Sequence, residues 1–73
     1  MSTRLIRLNE VIFRTGLSRS RIYQYINEDR FPASVSLGGR SVAWINFEID
    51  RWIEDVIGHR DSNPLYGYNI TDD

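Results

Sequence analysis

The stretch TGLSRSRIYQYI, residues 15–26, puts a glycine, a serine and two arginines directly ahead of an apolar-spaced run carrying two tyrosines. Gly16 can take the left-handed conformation that closes a preceding helix, and Leu17 can then fold back onto a core. Ser18 can cap a new helix from Arg19 to Glu28 or Asp29, in which Ile22 and Ile26 fall one turn apart on one face with Tyr25 beside them. At about 100° per residue, Ser20, Gln24 and Asn27 lie opposite the isoleucines, with Arg21 and Tyr23 on the shoulders. One face is apolar and the other is made of hydrogen-bonding groups.

Upstream, Leu8 to Phe13 reads as the start of a first helix, with Asn9 as its cap and Leu8 and Phe13 as the two halves of a hydrophobic staple. Downstream, Phe31-Pro32 is expected to stop the second helix, because proline disfavours helical geometry in the residue before it. The segment SVSLGGRSVAWI, residues 34–45, alternates on both sides of Gly38-Gly39 and predicts a hairpin with a tight two-residue turn there, Arg40 and Ser41 sitting at its tip. Asn46 can cap a third helix from Phe47 to Ile57 whose Ile49, Trp52, Ile53 and Val56 face inward, with Glu48, Arg51, Glu54 and Asp55 in water and Gly58 as the stop. Trp44 and Trp52 are expected in the core. Residues 1–58 thus form the folded domain, and residues 59–73 an acidic, irregular tail in which Leu65, Tyr66, Tyr68 and Ile70 could dock.

With 41% hydrophobic and 26% charged residues in a chain of 73, one small core is expected. There is no cysteine, so neither a disulfide nor a thiolate metal site can reinforce it. No apolar run is long enough for a signal peptide or a membrane span, which predicts a soluble, cytoplasmic protein without a membrane partner. The single histidine, His59, lies near Arg60 and Asp61 with no cysteine or second histidine nearby from which a metal set or a nucleophile with its base could be assembled, and GLSRS lacks the spacing and lysine of a phosphate-binding loop. The expectation is a non-enzyme with no catalytic residue, metal or cofactor.

The net charge of −1 argues at first against nucleic acid, but its distribution does not. From Met1 to Phe47 there are seven arginines against three acids, and from Glu48 to Asp73 two arginines against seven acids. All nine basic residues are arginine, whose planar fork suits phosphates and guanine edges.

Two helices joined by a glycine-bearing turn, then a hairpin, then a helix: the order is that of a winged helix-turn-helix, mainly α with a small β-hairpin. A major groove about 12 Å wide admits one helix. Double-stranded DNA is therefore the expected partner. The second helix would offer Ser18, Arg19, Ser20, Arg21, Tyr23, Gln24 and Asn27, and Gly38, Gly39, Arg40 and Ser41 of the wing would reach the flanking backbone or the minor groove.

The chain from Leu5 to about Ile57, beginning LIRLNEVIFRTGLSRSRIYQYINEDRFPASVSLGGRSVAWINFEIDRWI, resembles the AlpA family of phage regulatory proteins, within the wider excisionase-like and MerR-like winged-helix set. TGLSRSRIY, RFPASVSLGGRSVAW and EIDRWI carry the resemblance most specifically. It implies a DNA-binding regulator of prophage or integrated-island genes, either an activator of an integrase gene or an excisionase that favours integrase-mediated excision. It also implies a recognition helix from Ser18 to Glu28, a wing turn from Gly38 to Ser41, and wing-packing roles for Phe31, Pro32 and Trp44. A rival reading is a protein-binding adaptor or inhibitor on the same fold, whose acidic third helix and tail would contact integrase or RNA polymerase. Without a heptad run after the third helix, a monomer is expected in solution, with side-by-side cooperative assembly on DNA.

Overall fold

The computed structural model describes residues 3–62. In chain order the elements are β1 (Leu5–Ile6), α1 (Leu8–Thr15), α2 (Arg19–Asn27), β2 (Val35–Gly38), β3 (Ser41–Ile45) and α3 (Asn46–Ser62). The protein is mainly helical, with a three-stranded antiparallel sheet in the order β1-β3-β2. One core joins all layers: Ile6 of β1, Val11 of α1, Ile22 of α2, Phe31, Trp44 of β3 and Ile49 of α3 are buried together. Both tryptophans are anchored by their indole N–H groups, Trp44 donating to the Pro32 carbonyl at 3.0 Å and Trp52 to that of Arg30 at 2.9 Å. The Phe31 ring meets Trp52 edge-on with centroids 5.0 Å apart.

The start of α1 differs from the sequence expectation. Arg7, not Asn9, stands at the cap position, in extended conformation and without a side-chain cap bond. Asn9 therefore lies inside the first turn, and Phe13 is 87% exposed. The staple forms two residues earlier: with Arg7 at the cap, the N′ and N4 residues are Ile6 and Val11, and both are buried in the same core. The cause is β1, which the sequence reading did not find. Ile6 pairs with Trp44 and Leu5 with Ile45, and this pairing fixes the direction in which the chain enters α1.

The turn between α1 and α2 follows the expectation. Gly16 has φ 76° and donates its amide to the Ile12 carbonyl at 2.9 Å. Leu17 packs against the core. The Ser18 hydroxyl accepts from the Arg21 amide at 3.1 Å, which caps α2. The other end of α2 is closed before Phe31-Pro32 is reached. Asp29 takes φ 59°, Arg30 N–H donates to the Tyr25 carbonyl at 2.8 Å, and Asp29 N–H donates to that of Ile26 at 3.1 Å. This is a left-handed helix closure that an aspartate tolerates better than most residues, so the proline is not what stops the helix.

The hairpin is present, but its turn lies one residue later than expected. Gly38 pairs with Ser41, leaving Gly39 and Arg40 as the two turn residues, and the register shifts between Ser36 and Gly38. Gly38 and Gly39 have φ values of 112° and 58°, so the glycine pair does supply the positive φ that the turn needs. Ser41 is consequently the first residue of β3 and not part of the tip.

α3 runs through Gly58 to Ser62. Gly58 does not take the left-handed φ that would end it, and Ser62 Oγ donates back to the Gly58 carbonyl at 2.7 Å. The helical stretch thus extends past the expected stop at Gly58. The rest of the expected tail, with Leu65, Tyr66, Tyr68 and Ile70, lies outside the described residues. Asn46 is the first residue of α3, and its side-chain oxygen accepts from Arg14 Nη1 at 3.0 Å instead of capping the helix. Arg14 also binds Asp50 Oδ1 at 3.1 Å and Glu10 Oε2 at 2.9 Å, fastening α1 to α3.

Candidate nucleic-acid interface

α2 is held by one fully buried residue, Ile22, with Tyr25 and Ile26 half-buried beside it. On its opposite face Ser20, Gln24 and Asn27 are exposed, and Arg19 is exposed at the helix start. Ser18 is exposed too, but its hydroxyl is engaged by the Arg21 amide, so its structural part is the cap. Arg21 is half-buried with its guanidinium carbon 5.9 Å from the Tyr25 ring centroid. Tyr23 is 38% exposed and meets Trp44 edge-on at 6.3 Å between centroids, which sets the ring between α2 and the sheet.

Gln24 is not free to swing. Its Nε2 donates to Glu28 Oε2 at 3.2 Å, and Glu28 Oε1 accepts from Arg30 Nη1 at 2.8 Å. The guanidinium of Arg30 stacks over the Tyr25 ring at 4.3 Å. The Arg30 hydrogen bond, then that from Gln24, holds the Glu28 carboxyl below its ordinary value. Gln24 is thereby oriented by a short relay whose far end rests on the core-facing side of α2.

The structure brings part of the predicted set together and leaves part apart. Arg19 and Tyr23 of α2 share a cleft with Arg40 of the hairpin turn, and Arg7 and Asn9 complete its polar lining. Arg21 lies on the Tyr25 side of α2 instead, and Asn27 ends the helix about 12 Å from Arg19 at 1.5 Å per residue. Gly38, Gly39 and Ser41 are exposed around the turn without lining the cleft. Arg7 was missed by the sequence reading. The signal that could have found it is the alternation of Leu5 (exposed), Ile6 (buried) and Arg7 (exposed), a strand pattern too short to stand out. Among the described residues, no group of three or more His, Cys, Asp or Glu could hold a metal, and no helix is long and apolar enough to cross a membrane.

In this small domain the start of the capped second helix and the hairpin turn bring Arg19 and Arg40 to one cleft, and the chain belongs to the AlpA family. Residues 4–57 match the family described as prophage CP4-57 regulatory protein (AlpA). The chain is similar to the uncharacterized protein ORF88 of Enterobacteria phage P4, with 46% identity over 57 residues that cover 78% of this chain. The match spans 65% of that phage protein, a little under two thirds of its length. It is also similar to the DNA-binding transcriptional activator AlpA of Escherichia coli strain K12, with 40% identity over 58 residues, covering 71% of this chain and 83% of that protein. No solved structure matches the chain.

Proposed function

We propose that the protein is a sequence-specific, double-stranded-DNA-binding regulator of prophage or integrated-island genes. In this reading α1, the Gly16 turn and α2 form the helix-turn-helix and β2 with β3 forms the wing. The protein acts on transcription of an integrase gene, as an excisionase, or as both. The observation that carries the reading is the division of α2: Ile22 is sealed in the core while Ser20, Gln24 and Asn27 stand exposed on the other side and Arg19 is exposed at the helix start. A helix fixed by one face and polar on the other can enter a major groove without disturbing the fold. Membership of a prophage regulatory family, and the DNA-binding transcriptional activator among its relatives, support the same class.

Within α2, Gln24 is the best-placed base reader. Its relay through Glu28 leaves one amide hydrogen and the carbonyl oxygen available, the pair that reads adenine N6 and N7. Selection from a random duplex library at physiological salt tests the reading. Enriched, closely spaced direct repeats favour cooperative, excisionase-like binding, whereas an isolated or inverted site favours a transcriptional regulator. No enrichment sinks the DNA reading in favour of an adaptor for integrase or polymerase built on the acids of α3.

A further inference from the structure

Arginine is the only basic residue type in this chain, and the structure sorts its nine arginines into two groups. Arg4, Arg14, Arg30 and Arg60 are ion-paired. Arg7, Arg19, Arg21, Arg40 and Arg51 have no carboxylate partner among the described residues. Arg21 faces Tyr25, and Arg51 shares its cleft with Glu48 and Asp55, so neither stands in a purely basic setting. The remaining three converge. Arg7 at the entry to α1, Arg19 at the start of α2 and Arg40 in the hairpin turn line one cleft of about 460 Å³, to which no acid contributes. Tyr23 and Asn9 add a hydroxyl and an amide to the same lining.

Three arginines drawn from three separate elements, lining one cleft and without a carboxylate partner among the described residues, place like charges on the same side of the molecule. The fold brings them together only because β1 pairs with β3 and α2 packs on Trp44 through Tyr23. The arrangement has the donors and charge of an anion site, and arginine forks match the oxygens of a phosphodiester. The cleft volume lies in the range of small-ligand clefts, which suits one sugar-phosphate unit and not a long groove.

We propose that Arg7, Arg19 and Arg40 clasp a single backbone phosphate of duplex DNA, with the Tyr23 hydroxyl as a further donor. This rests on the DNA-binding reading and deepens it. The helix and the wing then hold the same strand at one point, and that phosphate sets the depth and register of α2 in the groove. Arg19 becomes a positioning contact, so base reading falls to residues further along α2, and Arg7 joins the binding surface. Among the described residues the Arg7 side chain has no hydrogen-bond or ion-pair partner; its carbonyl accepts from the Glu10 and Val11 amides at 3.1 Å each.

The test is binding of the purified full chain to the selected duplex and to a scrambled duplex across a salt series, with Arg7→Ala, Arg7→Lys, Arg19→Ala, Arg40→Ala and the triple alanine variant. Thermal melting of each variant separates loss of fold from loss of contact. The triple alanine variant should lower affinity about fivefold at physiological salt and flatten the slope of log K against log salt by about 0.9, the share of one phosphate, equally on both duplexes, and each single alanine variant should show only part of that loss. Arg7→Lys should keep most of the slope. A methylphosphonate scan of the selected duplex should find one position where neutralising the phosphate weakens the wild type but not the triple variant, an outcome that free phosphate cannot mimic. An unchanged slope in the triple variant, a flattening of about 0.9 in each single variant, a loss confined to one base position, or three arginines mapping to different phosphates would each overturn the clasp while leaving DNA binding standing. A wild type that binds neither duplex would instead remove the DNA reading itself, and the clasp with it.

Discussion

Ser18 is where the two tasks of α2, folding and binding, can be pulled apart with a pair of substitutions. Its hydroxyl accepts from the Arg21 amide at 3.1 Å, while its carbonyl accepts the first intrahelical bond, from Ile22, at 3.0 Å. Ser18→Ala removes the first of these and leaves the second. The freed amide lies at an exposed helix end where water can reach it, so the loss is that of an ordinary cap, about 1 kcal/mol. In a domain of this size that corresponds to a fall in melting temperature of roughly 4–8 °C. Ser18→Asp keeps an acceptor of equal rank and adds a negative charge that suits the start of a helix, so its stability should match or exceed that of the wild type. Its DNA binding should not match. One added negative charge against the backbone offsets one neutralised phosphate, which is worth about fivefold in affinity at physiological salt and about 0.9 in the salt slope. The assays are thermal denaturation followed by circular dichroism and duplex binding by fluorescence anisotropy, on the same preparations. If Ser18→Asp melts as low as Ser18→Ala, the hydroxyl is not a cap; if it binds DNA as the wild type does, the start of α2 does not face phosphate.

Arg14 is expected to be a stability residue. Arg14→Met keeps the stem but removes the hydrogen bonds to Asn46 and Asp50 and the pair with Glu10, costing about 1–2 kcal/mol in urea denaturation, with no change in salt slope on DNA. Gly16→Ala meets no atom within 4 Å of the new Cβ, so its cost is that of the left-handed φ alone, about 1–2 kcal/mol; Gly16→Asn should cost less, and equal losses would contradict the conformational argument. Glu28 should titrate below the ordinary carboxylate range in an NMR pH series, and Arg30→Ala should move its midpoint upward. Because the folded value is depressed, the contribution of Glu28 is present above the unfolded value and is lost as pH falls through the folded one. A midpoint at or above that of glutamate in the denatured chain would mean that the relay to Gln24 does not form in solution.

What was legible in the sequence is what is decided locally. The Gly16 closure, the Ser18 cap and the spacing of Ile22 and Ile26 each depend on residues within a turn or two, and all three are seen. The glycine pair of the hairpin announces positive φ, although the pairing of Gly38 with Ser41 shifts the turn by one residue. The misses occur where distant chain decides. Asn9 and Phe13 looked like a cap and half a staple because nothing nearby showed that Ile6 would be pinned to Trp44, far along the chain. Gly58 permits a helix end without requiring one, and α3 continues through it.

The same division explains the interface. Which side of α2 is exposed follows from periodicity, so Ser20, Gln24 and Asn27 could be named from the sequence. Net charge could not say which arginines are available, because the fold uses some of them internally. Arg14 is spent on Glu10, Asn46 and Asp50, Arg4 on Glu10, and Arg30 on Glu28. A chain with a formal charge of −1 can thus present a cleft lined by three arginines, because among the described residues no acid lines it. For a binder of phosphate that arrangement is more useful than a high overall positive charge. Such an attraction acts within about a Debye length of the cleft, where it can orient the helix.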